Sequence, residues 1–274
     1  MGLTRRDALK GVLATTIGAL TGTITYGVAH ERHRLGLTEA SLPVSGLAPE
    51  HDGLRIAFLT DIHHSRLVQA DDVAGAVTLA LASRPDLIVL GGDYVTFGDR
   101  AFVGSVAELL APLNAPHGVF AILGNHDDDR DMPAALARRG FVVLKDQRTV
   151  ISVRGEPLTL AGIRFWTRRP ADLARVLKGA HGTTLLLSHD PRRLTEAAAL
   201  GIPAMLSGHT HGGQVVVPGV GALAKARFPV IAGLGRQENT RIFVSRGIGT
   251  VYVPVRINCP PEVALVTLRR HSEI

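Results

Sequence analysis

Five short apolar runs in this chain each stop at residues of types that can bind metal ions, and this recurrence limits the fold more than any other feature. The run at 54–59 is followed by Asp61-Ile62-His63, that at 85–90 by Gly91-Gly92-Asp93, and that at 118–123 by Gly124-Asn125-His126-Asp127. The run at 184–187 leads into Ser188-His189-Asp190, and that at 204–207 into Gly208-His209-Thr210-His211. Apolar runs of this length, bounded by Gly, Pro or Asp, read as buried strands. Helical patterns fall between them: one opened by Asp71-Asp72-Val73, with carboxylates where a helix N-terminus favours them, one over 102–110 and one over 192–200. After Gly212 the pattern changes to short runs at 214–218, 242–244, 250–254 and 263–268, punctuated by Gly and Pro. The expected class is α/β, β-rich toward its end, in one domain over residues 54–270. Residues 30–53 read as a linker and lead-in, and no internal repeat is visible.

In open α/β sheets the crevice beyond the carboxyl ends of the strands is where ligands bind. Five strand ends would therefore deliver carboxylate, imidazole and amide groups to one rim. Asp61 and His63, like His209 and His211, are two apart, so an extended segment would point both side chains the same way. His64 would then face away and serve a supporting or structural role. Gly92, Gly124 and Gly208 would let the backbone turn beside the site. Any one of these motifs alone is weak, since Asn and Asp also favour plain turns. All five together, each after a buried strand, point to a metal centre.

Composition fits that reading. The 274 residues include 12 His but only 4% aromatics, which favours metal or proton-transfer chemistry over stacking. The aromatics fall mostly in strand-like positions, which offers little to a nuclease needing a basic groove with stacking rings. Cys259 is the only cysteine, so an intrachain disulfide is excluded, and it lies outside every motif as a small buried hydrophobe would.

The N-terminus reads as an address. Arg5-Arg6 precedes a charge-free run from Gly11 to Ala29 that holds five Thr and four Gly and is mild for a committed span. A basic start, a modest apolar stretch and small residues at Gly27 and Ala29 indicate an export signal over 1–29, and the paired arginines resemble the twin-arginine type. Asp7-Ala8 departs from the large apolar residue usual after the pair. The other reading is an uncleaved single-span anchor, because 19 residues is a borderline length for crossing. The whole chain carries +6, and +4 without residues 1–29, too little to name a nucleic-acid partner.

In this order the motifs resemble the calcineurin-like metallophosphoesterase family, over about Leu54 to Leu268. The segments Gly208-His209-Thr210-His211-Gly212-Gly213-Gln214, Ser245-Arg246-Gly247-Ile248-Gly249-Thr250 and Pro260-Pro261-Glu262-Val263 are similar to an exported branch of it. That branch includes twin-arginine-exported members and relatives that cleave a sugar-nucleotide lipid precursor. The resemblance implies two stacked mixed sheets flanked by helices, with a dinuclear metal centre at the strand C-terminal ends. It implies that Asp61, His63 and His211 hold one metal, that Asn125, His189 and His209 hold the other, and that Asp93 bridges them. A bridging position suits a carboxylate, whose two oxygens can serve two cations ~3.5–4 Å apart. Mixed imidazole, carboxylate and amide donors favour divalent Mn, Fe, Zn or Co over Mg or Ca.

The activity implied is hydrolysis of phosphodiester, pyrophosphate or phosphomonoester bonds by a hydroxide held between the metals. The resemblance makes His126 the general acid or charge stabiliser, with Asp127 orienting and charging its imidazole; Asp127 as a helix N-cap is the alternative. The location implied is the periplasm or cell envelope, with envelope or lipid-linked substrates and the export machinery as partners. The competing classes are an envelope-anchored non-catalytic metal-binding module and a broad phosphatase or nuclease. Asp190 would either orient His189 or cap the helix at Pro191. Arg164, Arg168 and Arg169 stand where relatives carry an acid, and with Arg246 they would either face phosphate or form solvated loops.

Overall fold

The computed structural model describes residues 4–180, 182–222 and 225–271. The first three residues of the expected signal lie outside this range. The first part of the chain runs α1 (Arg5–Ala29), β1 (Gly36–Val44), β2 (Arg55–Leu59), α2 (Ala70–Ala82), β3 (Leu87–Leu90), α3 (Val103–Leu110), β4 (Val119–Ala121), α4 (Asp131–Ala137) and β5 (Val142–Val143). It continues through β6 (Gln147–Val153), β7 (Glu156–Ile163), α5 (Pro170–Leu177), β8 (Thr183–Ser188), α6 (Leu194–Ala199) and β9 (Ala204–Ser207). The last elements are β10 (Val216–Val217), β11 (Gly221–Ala222), β12 (Gly233–Gln237), β13 (Thr240–Val244) and β14 (Glu262–Arg270).

Two six-stranded mixed sheets result, with orders β1-β14-β2-β3-β4-β5 and β12-β13-β9-β8-β7-β6, and β10 pairs with β11 as a separate hairpin. Alternation along each strand sorts side chains between two faces. In β2, Ile56 and Phe58 point between the sheets, where they join Leu160, Leu187, Leu206 and Phe243 of the second sheet. Ala57 and Leu59 point the other way and are covered by Val73, Val106 and Leu136 of α2, α3 and α4. The outer face of the second sheet, with Ala161, Leu186 and Met205, is covered by α5 and α6 through Leu173, Val176 and Leu194. The molecule is thus layered helix–sheet–sheet–helix, and the central strands read as continuous apolar runs because both their faces are buried.

Three expectations need correction. Residues 36–44, read as linker, form the edge strand β1, paired in parallel with β14 from Gly36↔Glu262 to Val44↔Arg270. Only its end, Leu42 and Val44, is fully buried, so Thr38, Glu39, Ser41 and Pro43 disguised an edge strand as a polar connection. Conversely, 250–254 forms no strand, and Tyr252 has a left-handed backbone (φ 62°). The run at 214–218 shrinks to the two residues of β10.

Helix α1, with the turn that continues it to His33, is long and apolar enough to cross a membrane by length and composition. Its start is capped: Thr4 Oγ1 accepts from the Asp7 amide at 3.2 Å and donates to Asp7 Oδ2 at 2.6 Å. Asp7 after the arginine pair therefore does the work of a helix cap. Of its 25 residues only Gly27 is buried. There the chain comes so close to Val255, Arg256 and Ile257 that a Cβ would lie 2.6 Å from the Arg256 carbonyl oxygen. The Arg256 amide donates to Gly27 O at 3.3 Å, and the Cys259 amide donates to the buried Glu31 carboxylate at 2.7 Å. The Arg256 side chain is fully buried and donates to the carbonyls of Arg246 and Cys259 at 2.8 and 3.1 Å. Cys259 is buried as expected, its thiol directed at His211 O at 3.3 Å.

Phe58→Ala is expected to cost about 3–5 kcal/mol of unfolding free energy, because the inter-sheet layer cannot collapse around the void. Val150→Ala, on an exposed position of β6, should change it by less than ~0.5 kcal/mol. Urea denaturation of both variants checks the assignment of the inter-sheet core.

Candidate metal centre

The carboxyl ends of β2, β3, β8 and β9, with the loop after β4, meet at one point. Asp61, His63, Asp93, His209 and His211 all have left-handed backbones, with φ of 53°, 52°, 57°, 72° and 51°. Non-glycine residues rarely adopt this conformation, and it persists where surrounding structure enforces it, often at functional sites. The expected extended Asp61-x-His63 and His209-x-His211 segments are therefore replaced by left-handed turns that bring both side chains of each pair inward. Backbone bonds hold the turns: Asp61 N to Gly92 O, His63 N to Asp93 O and His64 N to Tyr94 O, each at 2.9 Å. His64 faces away, as expected, with its Nδ1 at 2.9 Å from Val68 O and its ring edge-on to Phe102.

Two groups of donor atoms converge. Asp61, His63 and His211 form one, and Asp93, His189 and His209 the other, with the atoms of each group within 4.8 Å of one another. His63 Nε2 faces His211 Nε2 at 3.1 Å, and His211 Nε2 lies 3.3 Å from Asp61 Oδ1. Asp93 Oδ2 lies 3.1 Å from His189 Nε2 and 3.5 Å from His63 Nε2, so one oxygen reaches both groups. His189 Nδ1 is fixed at 2.8 Å from Gly91 O, which leaves Nε2 toward the centre. Among the described residues Asn125 Oδ1 is buried without a hydrogen-bond partner. Gly124 and Gly208 shape the cradle, since a Cβ on either would collide with the carboxylate of Asp93 or Asp61. Gly92, with φ of 94°, supplies the turn itself.

The electrostatics ask for positive charge. Burial lifts the Asp61 carboxyl to about 6 and holds the His63 and His209 imidazoles down at about 4. Burial also keeps His211 well below the usual histidine range. Burial thus favours the neutral form of all three rings, the form that metal ligation requires. Burial opposes a charge on His189 too, but Asp93 and Asp61 together lift it to about 10. Burial likewise opposes ionisation of Asp93, yet His189 and His63 hold it below the usual carboxylate range. Two buried carboxylates ringed by inward nitrogen lone pairs and an orphaned amide oxygen fit divalent cations of the borderline type.

The reading of Asp127 as the partner of His126 is corrected by its hydrogen bonds. Its carboxylate accepts from the amides of Asp93 (2.7 Å), Tyr94 (2.8 Å) and Gly124 (2.8 Å), tying the β3 and β4 ends together. His126 is oriented instead by the Phe97 amide, which donates to Nδ1 at 2.9 Å. With Nδ1 accepting, the ring proton is on Nε2. The His126 amide donates to Asp93 Oδ1 at 2.8 Å, and its ring stands edge-on to His63 with centroids 4.9 Å apart.

The flanking residues are also settled by their contacts. Asp190 caps Arg192 N at 3.0 Å and pairs with that guanidinium at 2.8 Å. Arg164 is bound to Asp146 and Asp129, Arg169 to Asp172, and Arg246 to Glu262 at 2.6 Å, so these cations are engaged. Arg168 stacks on Trp166 and Phe165, 5.2 and 5.7 Å from the ring centroids. The expectation that aromatics sit in strands misses five in loops near the centre. Phe165 and Phe228 flank His209, with Trp166 beside Phe165, and Phe97 and Tyr252 flank His126. No sequence signal marked them, because rings in separate loops share no spacing that would show the fold gathering them at one place.

The fold is thus a layered α/β sandwich with two His/Asp groups at its strand ends that could each hold a metal ion. The calcineurin-like phosphoesterase family matches residues 54–213, and the chain belongs to it. It is 34% identical over 290 residues to "Phosphodiesterase YaeI" of Escherichia coli (strain K12), covering 97% of this chain and 99% of that protein. It is 30% identical over 280 residues to "Uncharacterized metallophosphoesterase YkuE" of Bacillus subtilis (strain 168), covering 97% and 98%. A "Transmembrane protein with metallophosphoesterase domain" of Danio rerio is 29% identical over 278 residues, covering 94% of this chain and 62% of that protein. The family depends on a pair of metal ions, and this chain is a hydrolase acting on phosphoester bonds.

Asp127→Asn replaces one accepting oxygen by an NH2 group that must face at least one of these backbone donors, and it is expected to cost ~1–3 kcal/mol, with loss of bound metal. Urea denaturation and metal analysis check this. Unchanged stability with only turnover lost would return Asp127 to the role of orienting His126.

Proposed function

We propose that this chain hydrolyses phosphodiester bonds at a dinuclear centre in which Asp61, His63 and His211 hold one divalent ion and Asn125, His189 and His209 the other, with Asp93 between them. The observation that carries this reading is Asp93 Oδ2, placed within 3.1–3.5 Å of an imidazole from each group. Mn, Fe, Zn or Co suits the donor set. When bound, such ions supply an activated water nucleophile and draw charge from the phosphoryl oxygens. His126 presents Nε2–H beside the centre and stabilises charge on the departing oxygen by hydrogen bonding. Full proton transfer is disfavoured, because it would leave an imidazolate while Nδ1 accepts from Phe97. The family relative named a phosphodiesterase supports diesters over monoesters.

The same proposal places the protein outside the cytoplasm, acting on envelope or lipid-linked substrates. Support comes from Arg5-Arg6 at the start of α1, from the apolarity of α1 and from the relative named as transmembrane. The export machinery is the partner that the arginine pair implies.

Asp93→Ala should lose both bound metal and hydrolysis of bis(p-nitrophenyl) phosphate, whereas His126→Ala should keep the metal and lose about 10²–10⁴-fold in turnover. Metal analysis beside initial rates separates the two, and equal metal loss in both would make His126 a ligand. Replacing Arg5-Arg6 by Lys-Lys should block export, read by fractionating cells expressing the full chain. Unaltered export would remove the twin-arginine assignment.

A further inference from the structure

Phe97 and Tyr252 are 68% and 76% exposed, among the most exposed large apolar side chains described. Both have left-handed backbones, with φ of 52° and 62°, which bulky residues disfavour. Their rings touch each other at 5.7 Å between centroids, and both lean on the His126 ring, at 5.0 and 6.2 Å. Phe97 is placed by the hydrogen bond that orients His126 Nδ1, and Gly98 N donates to His126 O at 2.8 Å. Strained, unburied rings fixed at the mouth of a reactive centre are better explained by a ligand than by packing.

Their surroundings indicate what kind of ligand. The rings are tilted at 56° and do not form a parallel slot for a planar base. Val253, 51% exposed, follows Tyr252, and four residues further Ile257 lines an apolar groove of about 820 Å³. Leu20 and Ile24 of α1 form one side of that groove, and Val216 and Val217 the other. Gln214 holds the two chain segments together by accepting from Val251 N at 2.8 Å and donating to Val251 O at 3.2 Å. From the rings at His126 the chain thus runs through exposed Val253, half-buried Pro254 and Val255 and the buried Arg256 to Ile257 in the wall of the groove beside α1.

We propose that Phe97 and Tyr252 form a binding subsite for the hydrocarbon alcohol of an amphiphilic phosphodiester, whose phosphate lies at the metal centre and whose chain extends toward the α1 groove. This rests on the phosphodiesterase reading above. In the reaction, water forms a new P–O bond and the P–O bond to the alcohol breaks. One proton from water ends on the departing alcohol oxygen, giving a phosphomonoester and a free long-chain alcohol.

The test uses the full chain, loaded with Mn, in phosphatidylcholine nanodiscs, with octyl phosphate and methyl phosphate as calorimetric probes. The unaltered chain should bind octyl phosphate at least roughly tenfold more tightly than methyl phosphate. Combining Phe97→Ala with Tyr252→Ala should abolish that difference in the same bilayer. Combining Phe97→Leu with Tyr252→Leu should restore it, since apolar area rather than stacking is required. No chain-length preference in the unaltered chain, or a preference that survives the double alanine variant, would overturn the subsite. Hydrolysis of methyl octyl phosphate is followed separately. Release of neither alcohol by the unaltered chain would sink the phosphodiesterase reading while the binding result still decides the subsite.

Discussion

The buried carboxylate of Asp93 is the constraint around which the rest is arranged. It is only 1% exposed, and its negative charge has to be met inside the protein. His189 and His63 face one of its oxygens and the His126 amide donates to the other. Its backbone amide is clamped by Asp127. These neighbours arrive from β2, the loop after β4, and β8, so both sheets must be assembled before the charge is compensated. The sandwich is in this sense the device that makes a multiply charged cluster tolerable away from water.

Much of this was legible in the sequence, for a definite reason. A buried strand has to be apolar throughout, so a ligand residue at its end stands out against a clean background; β2, β3, β8 and β9 could be read this way. The resemblance to a family supplied the grouping of ligands, which spacing could not give, since Asp61 and His211 are 150 positions apart. The left-handed turns at Asp61, His63, His209 and His211 were invisible, because no glycine announces them. Edge strand β1 was missed for the opposite reason, having one polar face and a proline. The role of Asp127 was misassigned because adjacency to His126 in the chain says nothing of where a carboxylate on a tight turn will point.

The aromatic rings show where sequence reasoning stops. Phe97, Phe165, Phe228 and Tyr252 come from four separate loops, and only the fold gathers them around His126 and His209. The His/Asp groups at the strand ends carry the candidate chemistry, whereas these loops line its approach.

The junction at Gly27 bears on the fate of the N-terminal helix. A leader that is discarded normally leaves the mature surface complete, but here the last turn of α1 is seated against Val255–Ile257, in the wall behind His211. A chain shortened at Ala29 would free the Arg256 amide from its acceptor and open a glycine-shaped notch there. Retained and shortened forms would therefore be two different molecules at the back of the metal centre, distinguishable by the solvent exchange of a single amide hydrogen.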